Sequence, residues 1–255
     1  MITKMLRIAL MIVLAILALG SAPGAIAESR FRPCSNASLS GAYGFLHDGT
    51  DSTGAPATAA VTQITFDSTT GTFTGETTAS HDGVIATESL TGTYAVASNC
   101  TGTGNPTGGS PFSIAVTSTG FLAVHPFSEG FAVKQGSPTC TNAAVEGSFG
   151  FETTGVFLAT GAVAFIGELK LTVNPSGEGV ISGHVSASED GTFLTFAEEP
   201  VTGSYRIDPD CRGRATIAPK GRSEMHFSLV VVDGGNEMLA IETDADTVVS
   251  GTLQR

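Results

Sequence analysis

The 255-residue chain has no Trp, only three Tyr, five His and four Cys, and just 14% of it is charged. The indole that packs on the bridging cysteines of an immunoglobulin-type sandwich therefore has no counterpart here. Positive charge is scarcer still: 12 Lys and Arg stand against 24 Asp and Glu, a formal charge of −12. Such a surface repels phosphate backbones and anionic lipid on average, so nucleic acid is not an expected partner. The one basic cluster, Arg212, Arg214, Lys220 and Arg222, lies among Asp208, Asp210 and Glu224 and reads as a self-neutralising solvated face. Long apolar runs are missing apart from residues 8–19, which follow Lys4 and Arg7 and precede the small-residue stretch 20–27. Twelve helical residues span about 18 Å, short of the ~30 Å hydrocarbon core, so the segment is expected to be a secretory signal cut after Ala27. Its removal takes Lys4 and Arg7 and no acidic residue, leaving −14 from −12. A secreted or periplasmic protein with no integral membrane segment after cleavage is the expectation.

Catalytic patterns are also thin. His47, His81, His125, His184 and His226 form no H-x-H or H-E-x-x-H, and each reads as a turn or strand-face residue rather than a metal ligand. No G-x-S-x-G elbow offers a Ser nucleophile. Carboxylates stand in pairs at Glu198-Glu199, Asp208 with Asp210, and Asp244 with Asp246, but a glycosidase separation of ~5–9 Å is a property of a folded site. The stretch 48–54 has the oxygens of a calcium loop without EF-hand spacing, and the Gly-rich stretch 102–109 is followed by no Lys and no helix. No catalytic, cofactor or metal residue is assigned, and no cofactor is expected.

What is present is a repeat. Cys34-Ser35-Asn36-Ala37-Ser38-Leu39-Ser40-Gly41-Ala42-Tyr43-Gly44-Phe45 recurs as Cys140-Thr141-Asn142-Ala143-Ala144-Val145-Glu146-Gly147-Ser148-Phe149-Gly150-Phe151. Further on, Gly71-Thr72-Phe73-Thr74-Gly75 matches Gly179-Val180-Ile181-Ser182-Gly183. Gly92-Thr93-Tyr94 with Asn99-Cys100-Thr101-Gly102 matches Gly203-Ser204-Tyr205 with Asp210-Cys211-Arg212-Gly213. The order is kept, so residues 34–139 and 140–255 are two copies of one domain-sized unit after the signal at 1–27.

Each copy reads as all-β, because Thr, Val, Phe and Ile fill short runs bounded by Gly, Asn, Asp and Pro, with no 3.6-residue apolar period. Strands are expected near 42–47, 58–66, 72–80, 84–97, 112–117, 121–125 and 130–134, with 99–110 a loop. The second copy repeats them near 148–152, 163–173, 180–187, 193–207, 225–232, 238–242 and 248–253. Core candidates are Phe45, Phe66, Phe73, Phe112 and Phe121, then Phe151, Phe165, Phe193, Phe196 and Phe227. Seven or eight antiparallel strands hide their edges in an up-and-down barrel or a two-sheet sandwich. With strand direction alternating, the start of the first strand and the end of the fourth share one end of the sheet. That pairs Cys34 with Cys100 and Cys140 with Cys211. These cysteines lie outside the strands, which favours two tandem antiparallel β-barrels, with two β-sandwiches as the alternative.

Gly41-Ala42-Tyr43 and Gly147-Ser148-Phe149 resemble the Gly-x-Trp start of lipocalin-like barrels, with Tyr and Phe where that family has Trp. Gly92-Thr93-Tyr94 with Asn99-Cys100-Thr101-Gly102, and its second-copy match, is similar to uncharacterised exported bacterial proteins carrying Gly-Thr-Tyr followed by Asp-Cys-x-Gly. The resemblance implies the barrel fold and the exported compartment. The functional expectation is a non-enzymatic binding or interaction module for a protein, a surface polymer or an apolar small ligand. The alternative is a secreted hydrolase or isomerase with an acid and base inside one barrel. Tyr94 and Tyr205 are the ligand-pocket candidates, each also readable as a core aromatic with a bonded hydroxyl.

Overall fold

The computed structural model describes residues 33–50, 54–136 and 139–255, with side chains for all of these except 193–199. The expected signal segment lies outside the described residues, as do residues 51–53 and the side chains of Phe193, Phe196, Glu198 and Glu199.

Two closed eight-strand antiparallel barrels follow one another along the chain. The first comprises β1 (Gly41–Thr50), β2 (Pro56–Asp67), β3 (Thr72–His81), β4 (Val84–Val96), β5 (Thr101–Pro106), β6 (Phe112–Val116), β7 (Gly120–His125) and β8 (Ser128–Lys134). The second comprises β9 (Gly147–Phe157), β10 (Gly161–Val173), β11 (Gly179–Glu189), β12 (Thr192–Ile207), β13 (Arg212–Pro219), β14 (Met225–Val232), β15 (Glu237–Glu242) and β16 (Thr247–Gln254). Neighbours in sequence pair, and the last strand of each barrel returns to the first, so no edge is left open. β5 and β13 differ from the expected loop over 99–110 and the absence of a strand between 207 and 225. Inward-facing apolar residues are what mark a strand, and β5 has glycines instead. A Cβ on Gly104 would run into the Phe112 ring, and one on Gly102 into the Ala95 carbonyl, so the neighbouring strands occupy that space. β13 carries Arg212 and Arg214 on its outer face, where they read as a solvated surface.

One end of each barrel is plugged by the segment carrying its first cysteine, and this explains the repeated motif. In the first barrel a 3₁₀ turn, Asn36–Leu39, drops Leu39 into the core, where it is fully buried. Asn36 Oδ1 accepts the Val96 N–H at 2.8 Å, the Tyr94 hydroxyl donates to the Asn36 carbonyl at 3.1 Å, and Cys34 is bonded to Cys100. In the second, Val145 is the plug, Asn142 Oδ1 accepts from Ile207 N at 2.7 Å, the Tyr205 hydroxyl donates to the Asn142 carbonyl at 3.0 Å, and Cys140 is bonded to Cys211. Both second cysteines hold a positive φ, 68° and 70°. Closing loops of 66 and 71 residues stabilises by about 4 kcal/mol each in the chain-entropy model. Asn142→Ala strands the Ile207 N–H beneath the plug, so urea unfolding is expected to show a loss of about 1–3 kcal/mol. A loss below a few tenths would mean that water replaces the amide.

Outward residues of β1, β2 and β8 pack on those of β14, β15 and β16. Leu46, Ala59 and Val61 meet Val230, Val232, Leu239, Ile241 and Val248, all buried. Each fully buried Val, Leu or Ile contributes about 1.5–3 kcal/mol. β14 and β15 are therefore covered on both faces, which is why 229–232 and 238–241 read as unbroken apolar runs. Gly44 is required at the contact, since a Cβ there would lie 2.8 Å from Val230. Polar contacts tie the seam: Gln63 donates to the Asp210 carbonyl at 3.1 Å, Gly234 N–H to the Gln135 carbonyl at 2.8 Å, and Asp246 N–H to the Gly83 carbonyl at 3.0 Å. Arg212 pairs with Glu76 across the seam and with Asp210 beside it, and Arg222 pairs with Glu189.

Candidate functional site

Opposite its plug the first barrel is hollow. A cavity of about 390 Å³ opens there, floored by Phe45, Ile64, Leu90, Phe112 and Phe121 and ringed higher up by Thr62, Thr77 and three histidines. Volume and lining are in the range of small-molecule sites, largely apolar with a few placed polar groups. Phe45 and Phe112, expected in the core, are only partly buried because they face this space.

Strand alternation brings the histidines together. Tyr43, Phe45 and His47 are successive inward residues of β1, and the Phe45 and His47 rings lie 5.2 Å apart. His81 ends β3 and His125 ends β7, both at the open end. Burial, with the neighbouring imidazoles His81 and His125, pushes His47 down to about 4 from its ordinary 6.5, so it is neutral at pH 7. His125 Nδ1 donates to the Pro126 carbonyl at 2.9 Å, Thr58 Oγ1 and His81 Nδ1 are 3.3 Å apart, and the Thr62 and Thr77 hydroxyls bond each other at 2.8 Å. His47 Nδ1 is buried and has no partner. Among the described residues no three His, Cys, Asp or Glu side chains are placed to hold a metal ion. The β7–β8 turn forms part of the rim, with Phe127 exposed in the left-handed region at φ 71°. That conformation costs a non-Gly residue about 1–2 kcal/mol. The same rim borders an outer cleft of about 580 Å³ where Asp48 and Glu129 face Thr154 and Ser250 of the second barrel.

Among its described residues the second barrel is packed at mid-height and toward its plug. The void among Phe151, Leu169, Tyr205 and Phe227 is about 10 Å³, at or below the room one water molecule needs. Strand register shows why. In the first barrel His47 lies opposite Ala60, Thr62 opposite Thr77, and Phe45 opposite Ala132. The corresponding pairs in the second are Thr153 with Phe165, Gly167 with Val185, and Phe151 with Leu253. Phe165, Val185 and Leu253 thus stand where the first barrel has the smaller Ala60, Thr77 and Ala132, of which Thr77 lines the cavity. Glu242, facing inward near the open end of β15, is 2% exposed and pushed up to about 8 by burial and then by Asp244, to which it hydrogen-bonds. Asp244 in turn accepts from the His226 N–H at 2.9 Å and lies 2.7 Å from His226 Nδ1.

Tyr94 and Tyr205 are brought to no common site: each is a plug residue with its hydroxyl bonded to a backbone carbonyl, neither lines the first barrel's cavity, and Tyr205 borders an outer cleft of about 530 Å³ beside Arg206 and Arg214. The histidine cluster was missed because no two of its members are close in sequence. The available signal was parity, since His47 follows Tyr43 and Phe45 on the inward face. The chain matches no protein-family profile and no curated protein. The class that fold and site define is a tandem pair of closed eight-strand antiparallel barrels, the first of them hollow.

Proposed function

We propose that this is an exported, non-enzymatic binding protein whose first barrel holds an apolar small molecule and whose second is a filled copy that braces it. The cavity of about 390 Å³ in the first barrel carries this reading, and the void of about 10 Å³ among Phe151, Leu169, Tyr205 and Phe227 of the second supports the bracing role. Export is supported by two disulfides, which persist in oxidising compartments. Outer faces bear Thr87, Thr91, Thr93 and Thr103 while Phe66, Phe73 and Phe121 point inward, the reverse of a lipid-facing barrel. No helix among the described residues is long and apolar enough to cross a membrane.

A hydrolase or isomerase in the same cavity is favoured by one observation, the convergence of three imidazoles. Binding fits better. An imidazole held near 4 is a weak base at neutral pH, and His47 has no carboxylate on Nδ1 to orient it. The test is mass spectrometry of organic extracts from protein purified natively from periplasm or medium, with uptake of an apolar fluorophore as a second readout. An extracted apolar molecule, or micromolar uptake at one site per chain, is expected. A clean extract together with no uptake would refute the binding reading.

A further inference from the structure

The closed ring leaves no edge strand, yet β4 outruns the neighbour that completes it. Val84–Thr93 pair with β3, whereas only Gly92–Val96 pair with β5. Just past that overlap the Thr91 carbonyl accepts the Thr107 N–H at 2.7 Å, and on the other edge the Tyr94 N–H donates to the Gly71 carbonyl at 2.9 Å. Backbone groups alternate between the two edges of a strand, so those of Ile85, Thr87 and Ser89 point as Thr91 does, away from β3. Among the described residues they meet no backbone partner on that edge.

Proteins commonly blunt such an edge with Pro, Lys or a bulge. The second barrel does so, because β12 also runs past β13 and Pro200 stands three residues before Gly203 as Ser89 stands before Gly92. β4 has no Pro, no Lys and no shift of register against β3. Thr87, Glu88 and Ser89 are exposed. Strand alternation puts Ala86, Glu88 and Leu90 on one face, and Leu90 lines the cavity together with Pro106, Ser110 and Phe112 at the end of β5 and beyond it. A strand added here would turn alternate side chains toward the mouth of the cavity.

Charge sets the sign of the newcomer. Lys134, paired with Tyr43 near the plug, is the one Lys or Arg of residues 34–139, while Asp48, Asp82, Glu88 and Glu129 all belong to the open end. An extended polypeptide meets the backbone requirement, since its own N–H and C=O groups match those of the edge, and basic side chains meet the charge.

We propose that Ile85–Ser89 of β4 takes an extended segment of a partner protein by strand addition, with a basic side chain opposite Glu88 and an apolar one opposite Leu90 at the cavity mouth. The edge is free whether or not a small molecule fills the cavity, so this site stands apart from the binding reading above.

The test is amide hydrogen exchange by NMR on the purified protein, alone and with a blocked Thr-rich peptide bearing Leu, Lys and Leu at alternate positions. Alone, the Ile85, Thr87 and Ser89 amides are expected to exchange about tenfold or more faster than those of Ala86 and Glu88, which face β3. Millimolar peptide should slow the fast amides about tenfold. Thr87→Pro, tolerated where an N–H faces solvent, should fold and lose the protection at Ile85 and Ser89. Glu88→Lys should weaken the Lys peptide about threefold and favour a counterpart with Glu in place of Lys. Edge amides already protected in the free protein, no protection by the peptide, or protection that survives Thr87→Pro would each overturn the site. Equal binding of the Lys and Glu peptides would overturn its charge preference. Fluorophore uptake on the same samples separates the two readings: uptake without peptide protection removes this site and leaves the small-molecule reading in place.

Discussion

Ala123→Phe is expected to weaken uptake of an apolar fluorophore by the first barrel at least tenfold while leaving the protein as stable as before or more so. Ala123 lines the cavity beside Phe121, and a phenyl group there enters empty space instead of displacing neighbours. Filling a void commonly stabilises by about 0.5–2 kcal/mol. The same logic runs in reverse in the second barrel. Leu169 is fully buried on a packed floor, so Leu169→Ala opens a cavity and should destabilise by about 2–5 kcal/mol. Urea unfolding of both variants, with fluorophore titration of the first, checks the pair. Ala123→Phe as damaging as Leu169→Ala would mean that the first barrel is packed.

Glu242→Gln is expected to remove most of the alkaline loss of stability. The folded-state value near 8 exceeds the ordinary 4.5, so between these limits the folded protein binds more protons than the unfolded chain. The stability linked to this carboxyl is complete below about 4.5 and drains away as pH rises to about 8. Through a raised carboxyl this deep the swing is a few kcal/mol. Gln keeps a neutral side chain of the same size, so the variant should be the more stable protein at pH 8.5 and near-equal at pH 4.5. His47 imposes the opposite limb. Its folded value near 4 lies below 6.5, so its contribution is complete above 6.5 and is lost as pH falls to about 4. Urea unfolding across this range measures both limbs, and an alkaline slope unchanged in Glu242→Gln would exclude a buried protonated carboxyl.

The duplication points to how such a site arises. The two copies keep the same plug, clasp and disulfide, and they differ at the inward positions midway along the strands. The polar positions persist even where the chemistry changes: Thr153 stands where His47 does, and both are left with an unpartnered buried atom. The two copies thus differ in bulk on one shared plan, with Phe165, Val185 and Leu253 in the second where the first has Ala60, Thr77 and Ala132.

Much of the architecture was legible because its signals are local. The Cys-x-Asn-Ala motif and the Gly-bounded runs reveal two all-β copies, and strand alternation puts Cys34 near Cys100 and Cys140 near Cys211. β5 was hidden because Gly102 and Gly104 carry no side chain to show an inward face, and β13 because its outer arginines read as a solvated surface. The seam between barrels was in plain view as the runs at 229–232 and 238–241, where a strand exposed on one face would alternate. The site was the least legible part. His47, His81 and His125 meet only through closure of the barrel, and a hollow core differs from a filled one by a few side-chain volumes spread over several strands.

The most direct measurement is a crystal structure of the protein under xenon pressure, since xenon enters dry apolar voids and little else. Xenon is expected among Phe45, Phe112 and Phe121 of the first barrel and absent from the second. Xenon in neither barrel, or equally in both, would contradict the division into one hollow copy and one filled copy.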